Sequence, residues 1–141
     1  MHRTPEGPVN IIDVEGIGHV YAAQLEAIGV KTTDDLLERG ATEKGREELE
    51  SASGIGHAFI LKWVNRVDLY RIDGIGSEYS DLLEVAGVDT VPELAQRNAA
   101  NLTETLAEAN AARNLVRRLP TLEMVTDWID QAKSLPRVVQ Y

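Results

Sequence analysis

The sequence predicts an all-α fold made of two copies of one helical unit. Three observations predict it. The tripeptide Gly-Ile-Gly stands at 16–18, 54–56 and 74–76, each time ahead of an amphipathic stretch, and no segment shows the alternation of a half-buried strand. Residues 14–37 also match residues 72–95 at an offset of 58, with ten of the 24 aligned positions identical, which makes an internal repeat a better explanation than chance.

The elements follow in chain order. In Tyr21, Leu25, Ile28 and in Tyr79, Leu83, Ala86 the apolar residues recur along one helical face, and Gly29 or Gly87 then stops the helix. Thr32-Thr33-Asp34-Asp35 and Thr90-Val91-Pro92-Glu93 each carry a start signal, a capping hydroxyl followed by acids, with proline near the first helical position in the second copy. Further helices are expected at about 43–52, 57–70, 101–109, 111–119 and 121–134. The second halves of the copies have drifted, since Trp63-Val64 matches Trp128-Ile129 only at an offset of 65. A first domain is therefore expected over 1–70 and a second over 71–141, including a tail at 135–141, with a long helix through Trp63–Tyr70 joining them in one compact body.

Composition narrows the function. With 141 residues, 43% hydrophobic and 26% charged, the chain has globular make-up, and no run approaches the roughly 20 apolar residues that span a bilayer. There is no cysteine and no secretory-type apolar stretch near Met1, so a cytoplasmic location is expected, without membrane contact. The net charge of −9 opposes general nucleic-acid binding, but its distribution is uneven: residues 51–72 carry net +2 and residues 111–118 net +3, between acidic stretches.

Each Gly-Ile-Gly reads as a tight turn between helices, with Ile17, Ile55 or Ile75 dropping into the core. Glycine is expected to be needed at both positions, Gly76 included. Backbone N–H groups of such a turn and of the helix after it point outward and can receive an anion.

These turns resemble the helix-hairpin-helix family, whose pattern is glycine, hydrophobe, glycine, three variable residues, a small residue, two variable residues and a large aliphatic. Gly16-Ile17-Gly18 with Ala22 and Leu25 fits it, as does Gly74-Ile75-Gly76 with Ser80 and Leu83. Gly54-Ile55-Gly56 departs, placing Ile60 at the small position and Trp63 at the aliphatic one; a fourth, degenerate turn is expected near 110–114 without its glycines. Through Leu61-Lys62-Trp63-Val64-Asn65-Arg66 and Leu115-Val116-Arg117-Arg118-Leu119-Pro120 the whole chain is also similar to an uncharacterised bacterial family of stand-alone tandem helix-hairpin-helix proteins. The resemblance implies four such motifs in two pseudo-repeated pairs.

It further implies that DNA backbone could be held by turn N–H groups and by a basic residue just after the second glycine. Here that position falls on Val20, Ala58 and Glu78, and Glu15 and Asp73 precede the first and third turns. Basic residues accompany only the second and fourth turns. The phosphate-binding candidates are thus Gly54, Gly56, His57, Lys62, Arg66, Arg113, Arg117 and Arg118. His19 and His57 read as exposed helix starts rather than metal ligands, and Trp63 and Trp128 as core.

No nucleophile with its base, metal set or carboxylate pair is legible, so a non-catalytic module is expected, with no cofactor, metal or small-molecule substrate. Two classes of partner remain: a protein, or another copy of the chain, in an interaction or assembly role; and, as the alternative, nucleic-acid backbone at the second and fourth turns. The apolar Val138, Val139 and Tyr141 either fold back over the chain's own core or reach a neighbour.

Overall fold

The computed structural model describes residues 9–14 and 16–140 and is all-α. Among them eight α-helices follow a short 3-10 turn, Ile11–Asp13: α1 His19–Ala27, α2 Thr33–Arg39, α3 Glu43–Ser53, α4 His57–Leu69, α5 Ser77–Val85, α6 Val91–Ala95, α7 Ala99–Arg113 and α8 Leu122–Ser134. The one β-type pairing among these residues is an isolated bridge between Asn10 and Thr32. None of these helices is long and apolar enough to cross a membrane.

Capping chemistry sets most of the helix starts. The side chains of Thr32, Thr42, Thr90, Asn98 and Thr121 accept backbone N–H groups at the heads of α2, α3, α6, α7 and α8. At α2 the arrangement is reciprocal, because Asp35 accepts the N–H of Thr32 in return. The Lys31 N–H also reaches that carboxylate and, as the largest of several causes, holds it below its ordinary pKa.

The chain divides into two compact units, and the change falls between Asp68 and Leu69, inside α4. Among the described residues, the N-terminal unit holds those up to Asp68 together with 138–140, and the C-terminal unit holds 69–137. The tail expected wholly in the second domain is thus shared: its first residues stay with the C-terminal unit, and Val139, 1% exposed, is buried with the N-terminal one.

In the N-terminal unit α1 and α2 pack on α3, over a core that includes Ile17, Leu25, Leu36, Leu49, Ile60 and Trp63. Every residue from Trp63 to Leu69 is buried, the signature of a helix enclosed on all sides rather than lying on a surface. In the C-terminal unit α6 and α7 pack on α8, and α5 on α7. Its core gathers Ile75, Leu83, Leu94, Leu106, Val125 and Trp128.

Several contacts occur in both units at matching places in the repeat. Tyr21 packs against Trp63 at 5.1 Å between centroids and Tyr79 against Trp128 at 5.2 Å. Gly16 and Gly74 take left-handed φ of 93° and 100°. Arg39 donates to the Ile28 carbonyl, and Arg97 to those of Ala86 and Gly87, closing the ends of α1 and α5.

Two expectations fail here. Residues 114–121 are not helical: Ala111–Arg113 instead lengthen α7, and Asn114, the one non-glycine residue with positive φ among those described, ends it at φ 51°. The segment that follows is organised by Asn110, whose Oδ1 accepts the N–H groups of Leu115 and Val116 and whose Nδ2 donates to the Val116 carbonyl. A side chain thus takes over the role glycines play in the other turns.

The second failure concerns the glycines. Gly18 and Gly76 have extended φ of −85° and −115°, and a Cβ on either would meet no atom within 4 Å. Folding does not demand glycine there. Gly74 is the opposite case, since a Cβ would sit 2.9 Å from Trp128 Nε1 in a conformation side chains rarely adopt.

Two stability predictions follow from this geometry. Gly74→Ala should cost about 1–3 kcal/mol, while Gly76→Ser, which places a capable cap in open space, should stay within about 0.5 kcal/mol of the parent; denaturant titration of both variants distinguishes them. Equal losses would contradict the roles assigned to the two glycines. Asn110→Ala should cost about 1–3 kcal/mol by leaving partners of the 115–116 backbone unmet, and hydrogen exchange should quicken first at Leu115 and Val116.

Candidate functional site

Two of the helices that begin on Gly-Ile-Gly turns, α1 and α5, differ from the five with side-chain caps. At the heads of α1 and α5 the capping position is Gly18 or Gly76, and no side chain accepts the first N–H groups. A helix start left without a side-chain cap presents donors and a positive dipole end to whatever approaches. The second glycine, with open space before it, keeps that approach unobstructed at backbone level.

In the N-terminal unit the first turns of α1 and α4 are brought together by rings. Tyr21 lies 5.5 Å from Phe59, and Phe59 stacks at 5.9 Å on Trp63, itself 2% exposed. Trp63 is therefore core, as its neighbours suggest. Phe59 is not: it is 48% exposed, and Val20 on α1 is 72% exposed. His19 and His57, the first residues of the two helices, are exposed as well. Uncapped donors of α1 thus stand beside an apolar surface.

The C-terminal unit builds its counterpart differently. The turn before α5 is clamped from α8, because Gln131 accepts the Asp73 N–H at 2.9 Å and donates to the Asp73 carbonyl at 3.1 Å. Tyr79 rests on Trp128 and donates its hydroxyl to the Arg118 carbonyl at 3.0 Å, tying the 115–121 segment to α5. Asp73 and Glu78 are exposed beside the turn, so the field at this helix start is acidic.

The sequence-derived phosphate candidates are spread over both units and differ in access. Gly54, Gly56, His57 and Lys62 are exposed around the start of α4. Arg66 is 6% exposed, within the enclosed stretch of α4, and cannot offer its guanidinium to a surface phosphate. It stands three residues after Trp63, as Gln131 stands three after Trp128, which marks that place as one used for internal contacts. Arg113 is exposed at the last turn of α7, and Arg117 and Arg118 are exposed on the non-helical segment rather than on a helix.

Val20, Ala58 and Glu78, the residues after each helix start, are all exposed, so the absence of a basic group there is a property of the surface. Glu15 lies outside the described residues. Among the described residues no group of three or more histidine or acidic side chains is placed to hold a metal ion.

Sequence reasoning missed Gln131 and Asn110, the two side chains that hold turns in place. Both act through polar contacts to backbone, which leave no periodic trace. Phe59, 48% exposed, and Ile60, fully buried, are neighbours in sequence whose side chains leave the helix about 100° apart.

Neither a curated protein nor a solved structure matches the chain. A family described as Domain of unknown function (DUF4332) matches residues 15–135, which take in all eight helices, and the chain belongs to that family.

Proposed function

We propose that this chain is a non-catalytic binding module of tandem helix-hairpin-helix type, duplicated once, and that it serves as a protein-interaction or assembly adaptor. The single observation that carries this reading is the exposure of Val20 and Phe59 at the helix starts of the N-terminal unit. A phosphate-binding turn needs a cation there; an apolar pair over a ring cluster suits the buried centre of a protein interface. The uncapped α1 donors beside it suit a carbonyl or carboxylate on the partner.

The left-handed glycines 16 and 74 and the Arg39 and Arg97 contacts recur at an offset of 58, and with the matching Tyr–Trp pairs they support reading the two units as copies of one motif pair. Their surfaces have diverged. The C-terminal helix start, flanked by Asp73 and Glu78, repels phosphate and favours a partner that carries basic groups.

A second reading, sequence-independent binding to duplex backbone, rests on Arg113, Arg117 and Arg118, exposed on and beside the segment anchored by Asn110 and Tyr79. Burial of Arg66 leaves the second turn with Lys62 as the cation of its candidate set on the surface, which weakens the two-hairpin version of that reading.

A displayed random-peptide library, selected on the full chain, tests the first reading. Binders should carry a large apolar residue and lose about 30-fold or more in affinity for a folded Val20→Glu/Phe59→Glu variant, the effect of removing a hot spot. Binders indifferent to that variant would sink the assignment of this face. Titration with duplex DNA from 0.05 to 0.3 M salt tests the second. No specific binding is expected; a log–log slope of roughly −3, abolished by Arg117→Glu/Arg118→Glu, would establish backbone binding instead.

A further inference from the structure

Among the described residues, Arg39, Arg46, Arg66, Arg71, Arg97 and Arg137 are each engaged within the chain. Three arginines are not. The side chains of Arg113, Arg117 and Arg118 enter no hydrogen bond or ion pair among those residues, and all three are exposed. They share one stretch, from the end of α7 along the non-helical segment that leads to α8. Residues 109–122 contain no acid, in a chain with 23 of them.

The same stretch exposes apolar area. Leu119 is 41% and Leu122 51% exposed, two of the five large apolar side chains left exposed among the described residues. A lone surface leucine is ordinary. Two at positions 119 and 122, beside three unengaged guanidinium forks, combine the components of an interface centre: area to bury and donors to pair.

The stretch is also held in shape. Asn110 bonds the backbone of Leu115 and Val116, Tyr79 donates to the Arg118 carbonyl, Val116 and Pro120 are buried, and Thr121 caps α8. Little backbone freedom is left to lose on docking.

Two observations choose the partner. Carboxylates complement the arginine forks, and a polypeptide can set an apolar side chain beside them, whereas a phosphate backbone offers the leucines little to pack against. Exposed Glu108 and Glu123 also bound the basic stretch on α7 and α8, so a long anionic surface meets like charge at both ends where a short acidic segment does not.

We propose that segment 113–122 is a docking surface separate from Val20 and Phe59, and that it takes a short acidic protein segment carrying an aliphatic or aromatic side chain among its carboxylates. The arginines that would serve duplex backbone serve carboxylates instead.

The test sorts peptides from a displayed random library, selected on the full chain, by their response to variants at exposed positions. Among those that Val20→Glu/Phe59→Glu leaves unchanged, a class enriched in Asp, Glu and large apolar residues is expected. Its members should weaken about 10-fold or more on Arg117→Glu/Arg118→Glu and on Leu119→Ser/Leu122→Ser, with circular dichroism melts confirming that both variants fold. Duplex DNA and phosphatidylserine vesicles are titrated in parallel and should bind more weakly than these peptides. Absence of the class, or binders indifferent to either pair of changes, overturns the proposal. So does DNA or vesicle binding that is tighter than peptide binding, sensitive to the arginine changes and blind to the leucine ones. Because the peptides scored are those indifferent to Val20 and Phe59, failure here leaves the N-terminal assignment to its own measurement.

Discussion

Each unit depends on how a turn glycine meets a buried indole. Gly74 takes a left-handed conformation with its α-carbon face against Trp128, and the ring of Tyr79 closes on the same indole from α5. Gly16, Trp63 and Tyr21 have the same arrangement, but there a Cβ would meet Trp63 Nε1 at an ordinary 3.8 Å, and it is the left-handed φ of 93° that asks for glycine. At Gly74 the indole sits so close that the backbone can carry no Cβ. The angle at which α1 or α5 leaves its turn follows from that contact. So does the burial of the isoleucine between the glycines, Ile17 at 4% and Ile75 at 5% exposed.

The two glycines of a turn therefore do different jobs. The first is a packing residue, answerable to the core. The second heads a helix, has ordinary extended backbone and faces open space. Its neighbours on α1 and α5 lack the side-chain caps found at five other helices of the same chain. Threonine or asparagine caps those five helices, whereas the first N–H groups of these two are met by no side chain.

Several arginines are engaged in contacts within the chain. Arg39 and Arg97 close helix ends, Arg46 holds three carbonyls and Arg71 reaches Pro136, while Arg66 is buried in α4. Guanidinium is suited to this because its rigid fork can satisfy several carbonyls at once and it remains charged at any ordinary pH. With Arg46, Arg66 and Asp68 buried, the surface keeps the acidic balance that the net charge of −9 gives the chain.

The all-α class, the helix starts at Thr32 and Thr90 and the burial of both tryptophans were legible from sequence, because each depends on local pattern: a capping hydroxyl, a glycine stop, a run of apolar neighbours. The candidate site was legible only in outline. Whether Arg66 faced solvent, whether Gly76 was required, where α7 ended and which unit received Val139 were decided by the tertiary structure. The physical reason is shared by all four. A residue's type and neighbours along the chain set what it can do, but burial, the space before a Cβ and the carbonyls within reach come from segments distant in sequence, as Arg46 and Gln140 are, 94 residues apart.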